Sequence, residues 1–543
     1  MKNALLILLY ICLHNLVYAQ NSRFTFTSKD GQFYFIDKDR NEVHKLGKWD
    51  NAENFNYTII GFAYVKKDGK DYILDTLGNR YGLAYNNIAT IDNSVVALDL
   101  SNIKLDSFPT SILQHTQLQA LILNDNGRYF IEATKNLKVL PTEIAKLQNL
   151  KHLQLRSCKL DSLTPKIGEL KNLTTLDLRE NKLTSLPSQI GELKNLITLD
   201  LWNNELKSLP SQIGELKNLT ELYLYGNQLS SLPAQIGELK NLTTLYLYKN
   251  QLRSLPTQIG ELKNLADLYL YDNQLNSLPA QIGELKNLTT LKLENNQLRS
   301  LPIQIGELKN LTFLALSSNQ LSVLPSQIGE LKNLAKLYLD GNNGLNWQQV
   351  ITQLSQIGKK IQFTIDYEDQ QQGILWVSID AKQLLEVLKY ATPEQVNKIT
   401  SLDLGENQLS SLPLKICELK NLTVLSLRDN QLKSLPAQIG ELKNLTSLIL
   451  QGNQLSSLPT QIGELKNLTT LILAGNQLSA LPAQIGELKD LTDLIVQGNQ
   501  LKSLPTQIGE LKNLTSLFLS GNPISKKEQE KIRKLLPNCD IQF

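Results

Sequence analysis

From Val95 onward, leucine recurs with a period of 23 residues. The frame is LxxLxLxxNxL followed by LPxQIGELKNL, with Leu176, Leu199, Leu222, Leu245, Leu268, Leu291 and Leu314 at its fourth position. Seventeen copies can be counted, the last starting at Leu514. No single copy is long enough to bury its own apolar face, so such a chain gains a core only by stacking each copy on the next. In LxLxx the leucines alternate along an extended strand. They therefore point to one side, and the residues between them point to the other. Asn181, Asn204, Asn227, Asn250, Asn273, Asn296 and Asn319 stand where each coil turns, and an amide there can both donate and accept. Ile103 and Cys158 take the same slot in earlier copies, which marks Cys158 as a buried substitute rather than a reactive thiol.

This frame resembles the leucine-rich repeats, in particular the LPxxI-type subfamily, which includes bacterial surface proteins and intracellular Ras-binding scaffolds. The resemblance covers most of the chain. It implies an α/β solenoid, a horseshoe with a parallel concave β-sheet and helical or 3₁₀ returns, and a function in binding rather than catalysis.

Between Leu339 and Ile399 the period fails. The segment Gly341 to Phe363 begins with Gly-Asn, continues as a helix-like run and ends in Ile-Gln-Phe, as do the last 23 residues, Gly521 to Phe543. Their apolar helix positions agree if one residue of slip is allowed. A terminal repeat must cover a core edge that no neighbour buries, so both segments read as caps. The expected organisation is a first array over 95–363 with eleven repeats, a linker and helical N-terminal cap over 364–398, and a second array with its own cap over 399–543. In SIDAKQLLEVLKYATPEQVNKI, an amphipathic helix with Asp380 as N-cap would open the second array. The alternative is one solenoid with an inserted island.

Residues 20–92 differ. GQFYFIDKDRN and GKDYILDTLGN align at an offset of 38, pairing Tyr34 with Tyr72 and Asp37 with Asp75, and read as two β-hairpins. The region faintly resembles WG-type β repeats, without the Trp-Gly pair; a β-cap for the solenoid is the other reading. Residues 1–19 read as a signal peptide, with Lys2, an apolar run from Ala4 to Cys12 and a small residue at Ala19. That implies a secreted or cell-envelope protein with no stable membrane span after cleavage.

The outward positions carry the individuality of the chain. Tyr223, Tyr246 and Tyr269 hold the first outward position, and Tyr225, Tyr248 and Tyr271 the second. Trp202 precedes them at the second position, and Tyr338 follows later at the first. Strands about 4.8 Å apart would gather the six tyrosines into a patch larger than soluble surfaces usually expose. Tyrosine and tryptophan supply contact area at small entropic cost, which favours a protein or peptide partner on this face. Rings also stack across strands and stabilise a sheet without a partner, and ring faces suit glycans. Before the tyrosines, Arg156, Asp177, Arg179 and Asp200 alternate in a pattern of ion pairing rather than of a cation site. In the second array, Ile449, Ile472, Ile495 and Phe518 form an apolar stripe at the first outward position, suited to a second partner or to self-association.

Composition excludes other classes. Lys+Arg 55 against Asp+Glu 52, a net charge of +3, offers no footprint for nucleic acid. Cys158, Cys417 and Cys539 are too scattered for a disulfide framework, and no HExxH, Cys-His cluster, P-loop or G-x-S-x-G elbow occurs. No cofactor or metal is implied. His152 is expected as a lone surface histidine, and the KNLT sequons, from Asn172 on, follow from the repeat itself. The repeated GELKNL reads as a charge-balanced exterior.

Overall fold

The computed structural model describes residues 24–29, 32–37, 48–52, 62–68, 70–75, 79–85, 91, 95–101, 103–125, 135–364, 374–378, 381–397 and 399–543. The leader segment 1–19 and the N-cap Asp380 lie outside these. Two compact units divide the chain, Met1–Leu291 and Lys292–Phe543.

In the first unit, strand Phe24–Lys29 pairs antiparallel with Gln32–Asp37, and Phe62–Lys67 pairs with Lys70–Asp75. The two aligned segments are thus each the second strand of a hairpin. Strand Arg80–Tyr85 continues the second sheet and then runs parallel to Ala97–Asp99, placing Leu83 beside Ala97. The N-terminal strands therefore extend the edge of the repeat sheet. They also cover part of it: Ile73 and Tyr81 pack with Ala97, Ala120 and Ile122, which occupy outward positions of the first repeats.

Beyond this edge the repeats stack in strict parallel register, Leu153 beside Leu176, then Leu199, Leu222, Leu245 and Leu268. Each contributes a three-residue strand, a turn and a five-residue 3₁₀ helix such as Ala234–Glu238, entered through Pro233 with φ −67°. Proline presets the extended entry and cannot donate into it. The glycine of QIG is required by contact: a Cβ on Gly237 would stand 2.4 Å from the carbonyl oxygen of Gln258 in the next repeat. Leu222, Leu224, Leu229, Ile236, Leu239 and Leu242 of one repeat are fully buried, and each contributes roughly 1.5–3 kcal/mol of transfer free energy.

The asparagine ladder holds the coil turns as expected. Asn204 accepts from the Leu183 amide at 3.0 Å and donates to the carbonyls of Leu178 and Leu201 at 2.9 and 3.1 Å. The residue before each ladder asparagine has positive φ, as at Asn203 (53°) and Lys249 (54°). Such non-glycine residues persist in the left-handed region because the surrounding bonds over-determine it.

In the second unit, Phe313–Ala315 pairs with Lys336–Tyr338. The next neighbour is Ile374–Ser378, and Lys360–Thr364 lies beyond it. This differs from the chain terminus, where Asp540–Gln542 pairs directly with Ser516–Phe518. The two cap-like segments share the expected helix, Trp347–Ser355 capped by Asn346 and Lys526–Leu535 capped by Ser525. They do not share the strand order. The single helix expected before Ile399 is two, Ala381–Val387 and Pro393–Val396. Pro393 is the break: it starts a new helix at N1, with Thr392 and Gln395 closing a capping box. A seven-stranded parallel sheet then runs from Ser401–Asp403 to Asp540–Gln542.

Candidate functional site in the outward tyrosine rows

The strand registers place Asp177, Asp200, Tyr223, Tyr246 and Tyr269 in one row across the sheet of the first unit. The second row, three residues after each core leucine, holds Arg156, Arg179, Trp202, Tyr225, Tyr248 and Tyr271. Strand spacing near 4.8 Å is close to the separation of stacked rings, and the second row uses that coincidence. Trp202 stacks on Tyr225 at 5.0 Å, Tyr225 on Tyr248 at 4.2 Å and Tyr248 on Tyr271 at 4.2 Å. Six freely presented tyrosines are therefore not what the fold provides. Tyr225 and Tyr248 are 2% and 4% exposed because their faces are taken by neighbouring rings.

The tyrosines of the first row stay half-buried. Tyr223 meets Tyr246 edge-on at 5.2 Å, and Tyr246 stacks on Tyr269 at 4.3 Å. The Tyr223 hydroxyl donates to Glu221 at 3.2 Å. Burial first, and the Glu221 carboxylate second, hold this phenol well above the ordinary tyrosine range. Tyr338 lies in the second unit, where it packs edge-on against Phe313 at 4.9 Å.

The charged block ahead of the tyrosines is an ion-pair set, as expected, with one changed partner. Arg179 donates to Asp177 at 3.0 Å and lies 4.0 Å from Asp200. Arg156 bonds Glu180 at 2.8 Å instead of either aspartate. Burial raises the Asp177 carboxyl against the pull of Arg179. Asp200 rises to about 7, mainly through burial, with Asp177 adding and Arg179 opposing.

His152 is not on the surface. It is 6% exposed, with the Tyr81 hydroxyl 3.1 Å from its Nε2 and the Tyr81 ring edge-on at 5.4 Å. The incoming N-terminal strand covers it, which no local pattern around His152 announces.

In the second unit, Ile449, Ile472, Ile495 and Phe518 align in one parallel row, all half-buried. Gln451, Ala474 and Gln497 stand beside them.

Comparison with known proteins follows the same lines. A family model described as Leucine-rich repeat region matches residues 132–228, 222–296, 267–375 and 447–536, and one described as Leucine rich repeat matches 394–455. A solved LRR protein of Leptospira interrogans is 36% identical over 84% of this chain and 99% of its own, with TM-score 0.42. The chain belongs to the leucine-rich repeat family. This leucine-rich repeat chain is also similar to the plant peptide hormone receptor RGFR1, solved in complex with RGF2, at 28% identity over 84% of this chain and 78% of that one, TM-score 0.53. A solved TDR receptor is 24% identical over 82% and 79%, TM-score 0.51. No curated protein matches.

The ladder of this leucine-rich repeat solenoid holds one substitute that sequence reasoning placed and others that it missed. Cys158 does replace a ladder asparagine, its thiol donating to the Leu123 carbonyl at 3.2 Å while burial pushes its pKa up. Lys135 also serves the ladder. Fully buried, it donates through Nζ to the carbonyls of Leu100 and Ser101 at 2.8 and 3.3 Å and to that of Ile103. The KNL asparagines form a second ladder: Asn172 donates to Gln148, Asn218 to Lys194 and Asn241 to Lys217, all near 2.9 Å. Their sequon amides are thus engaged in structure. The GELK exterior is a chain of inter-repeat ion pairs, such as Lys194–Glu215 at 2.6 Å and Lys240–Glu261 at 2.5 Å. The regular 21-residue offset between Lys and the next Glu could have revealed it. Among the described residues no group of three or more His, Cys, Asp or Glu could hold a metal ion, and no helix is long and apolar enough to cross a membrane.

Proposed function

We propose that the chain is a non-catalytic recognition protein, exported by its N-terminal segment to the cell envelope or surface, that docks a protein or peptide on the outward face of its first run of repeats. The observation carrying this reading is the row Tyr223, Tyr246, Tyr269, only partly buried and in register. Rigid rings with a polar tip suit recognition. Tyr225 and Tyr248 act as the support, fixing Trp202 and Tyr271 at the ends of their stack. The solved RGFR1 complex, which pairs a related repeat array with RGF2, supports a peptide-sized partner. The test is a binding screen of the purified chain against peptide, surface-protein and polysaccharide arrays, repeated with Tyr246→Ser/Tyr269→Ser and with Ile472→Ser. Loss of peptide or protein binding in the tyrosine variant alone supports the reading; hits confined to polysaccharides would replace it with glycan recognition.

The stripe Ile449, Ile472, Ile495, Phe518 supports a second, separate contact surface, for another partner or another copy of the chain. Sedimentation over a range of concentrations distinguishes the two. The interruption between Leu339 and Ile399 supports two arrays, 95–363 and 399–543, each with its own cap. Two separate melting transitions of the full chain would support that division, whereas one cooperative transition would sink it.

A further inference from the structure

Resting on the docking reading above, the chemistry around the tyrosine row specifies the partner. Beside it runs the column that precedes each core leucine: Thr175, Thr198, Glu221, Thr244, Asp267, Thr290. This edge holds two acids and no base, in a chain whose formal net charge is +3. Both acids are partly exposed. Glu221 is fixed in place, accepting from the Tyr223 hydroxyl at 3.2 Å and from Thr198 at 3.3 Å. On the far side of the rows, Lys249 and Asp272 offset one another in charge.

Aromatic rings elsewhere in this protein already hold cations. Lys292 and Lys336 lie 5.5 and 6.0 Å from the Phe313 ring in the second unit. In the first, Arg80 lies 5.7 Å from Tyr72 and Lys151 lies 6.0 Å from Tyr81. A cation placed at the tyrosine row would gain both a ring and a carboxylate.

Spacing selects the conformation. Glu221 and Asp267 sit on strands separated by one other, Thr244–Tyr246, hence about 9.6 Å apart across the sheet. A polyproline II helix brings every third side chain back to the same side after about 9.3 Å. An extended β-strand returns like-facing side chains at about 6.6 or 13 Å, neither of which fits.

We infer that the partner is a protein segment in polyproline II conformation with Lys or Arg at positions i and i+3, crossing the strands so that its cations meet Glu221 and Asp267. Its proline rings then rest on the exposed parts of Tyr246 and Tyr269. Aromatic-lined grooves favour this helix because its ordering entropy is already low.

The experiment is fluorescence anisotropy of the full chain with labelled proline-rich peptides carrying Arg at i and i+3, Arg at i and i+2, or Glu at i and i+3. The first should bind at least about tenfold tighter than the Glu peptide, weaken with salt, and lose about tenfold in Glu221→Gln/Asp267→Asn. Gln and Asn keep an acceptor at each site, and a melting curve checks that the variant is folded. Equal affinity for the three peptides, preference for the i and i+2 peptide, no loss in the double variant, or no binding at all overturns the inference. Failure of the docking reading itself has a different signature: binding that survives Tyr246→Ser/Tyr269→Ser.

Discussion

The tyrosine rows of the first unit and the isoleucine stripe of the second are built on the same strand, turn and ladder, yet they behave differently. At Leu245 and Leu471 the core is the same, fully buried residue in the same register. In the first unit the second outward row is aromatic, so neighbouring rings stack and bury one another. In the second unit that row is Arg428, Gln451, Ala474 and Gln497, which do not stack. One scaffold thus carries a wall that stabilises itself and another whose apolar row is braced only by its strand neighbours.

The comparison can be broken at its root by Leu245→Ala and Leu471→Ala. Each should lower unfolding free energy by about 2–5 kcal/mol in urea titration. Costs differing by more than about twofold would mean that the shared frame is not equally packed in the two units.

Comparable in size is Tyr248→Ala, which removes a buried ring with a stacked neighbour on each face and should cost about 3–5 kcal/mol. Ile472→Ala, half-buried, should cost about 1–2 kcal/mol. Equal costs would show that ring stacking adds nothing to the first wall.

A pH series sharpens the contrast further, since among the described residues of the second unit no acid is buried. The Asp200 carboxyl titrates at about 7 in the folded chain against 3.8 for its ordinary value, so the folded state holds the proton more tightly. Its contribution favours folding at the acid end and is lost as pH rises from about 4 to about 7. Asp200→Asn should therefore be more stable than the parent at pH 7, with the difference vanishing at pH 4. A difference that grows on acidification would refute the assignment.

The smallest effect belongs to the exterior. Lys240→Ala and Lys466→Ala each remove an exposed inter-repeat pair, with Glu261 and Glu487 respectively, and should change stability by less than about 1 kcal/mol, less still in high salt.

Legibility followed the same division. The period, the parallel strands, the 3₁₀ returns, the asparagine ladder and the place of Cys158 in it were open to counting, because each depends on residues at fixed offsets. The outward rows were legible in position and not in exposure: counting put Tyr225 beside Tyr248 without saying that their faces would close on each other. His152 and Lys135 were misread or missed because their partners, Tyr81 and the carbonyls of Leu100 and Ser101, come from segments more than 30 residues away that no repeat offset predicts. The Pro393 break between the two short helices was visible as a residue, but amphipathic spacing across it was the stronger pattern.

What the amino-acid order alone determined is the repeating coil. Side chains at a spacing of 23 meet their equivalents in the next turn whatever the rest of the chain does, so hydrophobic burial and amide bonding repeat with them. What only the tertiary structure decided is which outward groups remain available. That depends on ring-to-ring stacking distance, on the N-terminal strands lying over the first repeats, and on strand Ile374–Ser378 entering beside Leu337. Each is a contact between distant segments, and its free energy comes from surfaces that do not exist until the chain has folded.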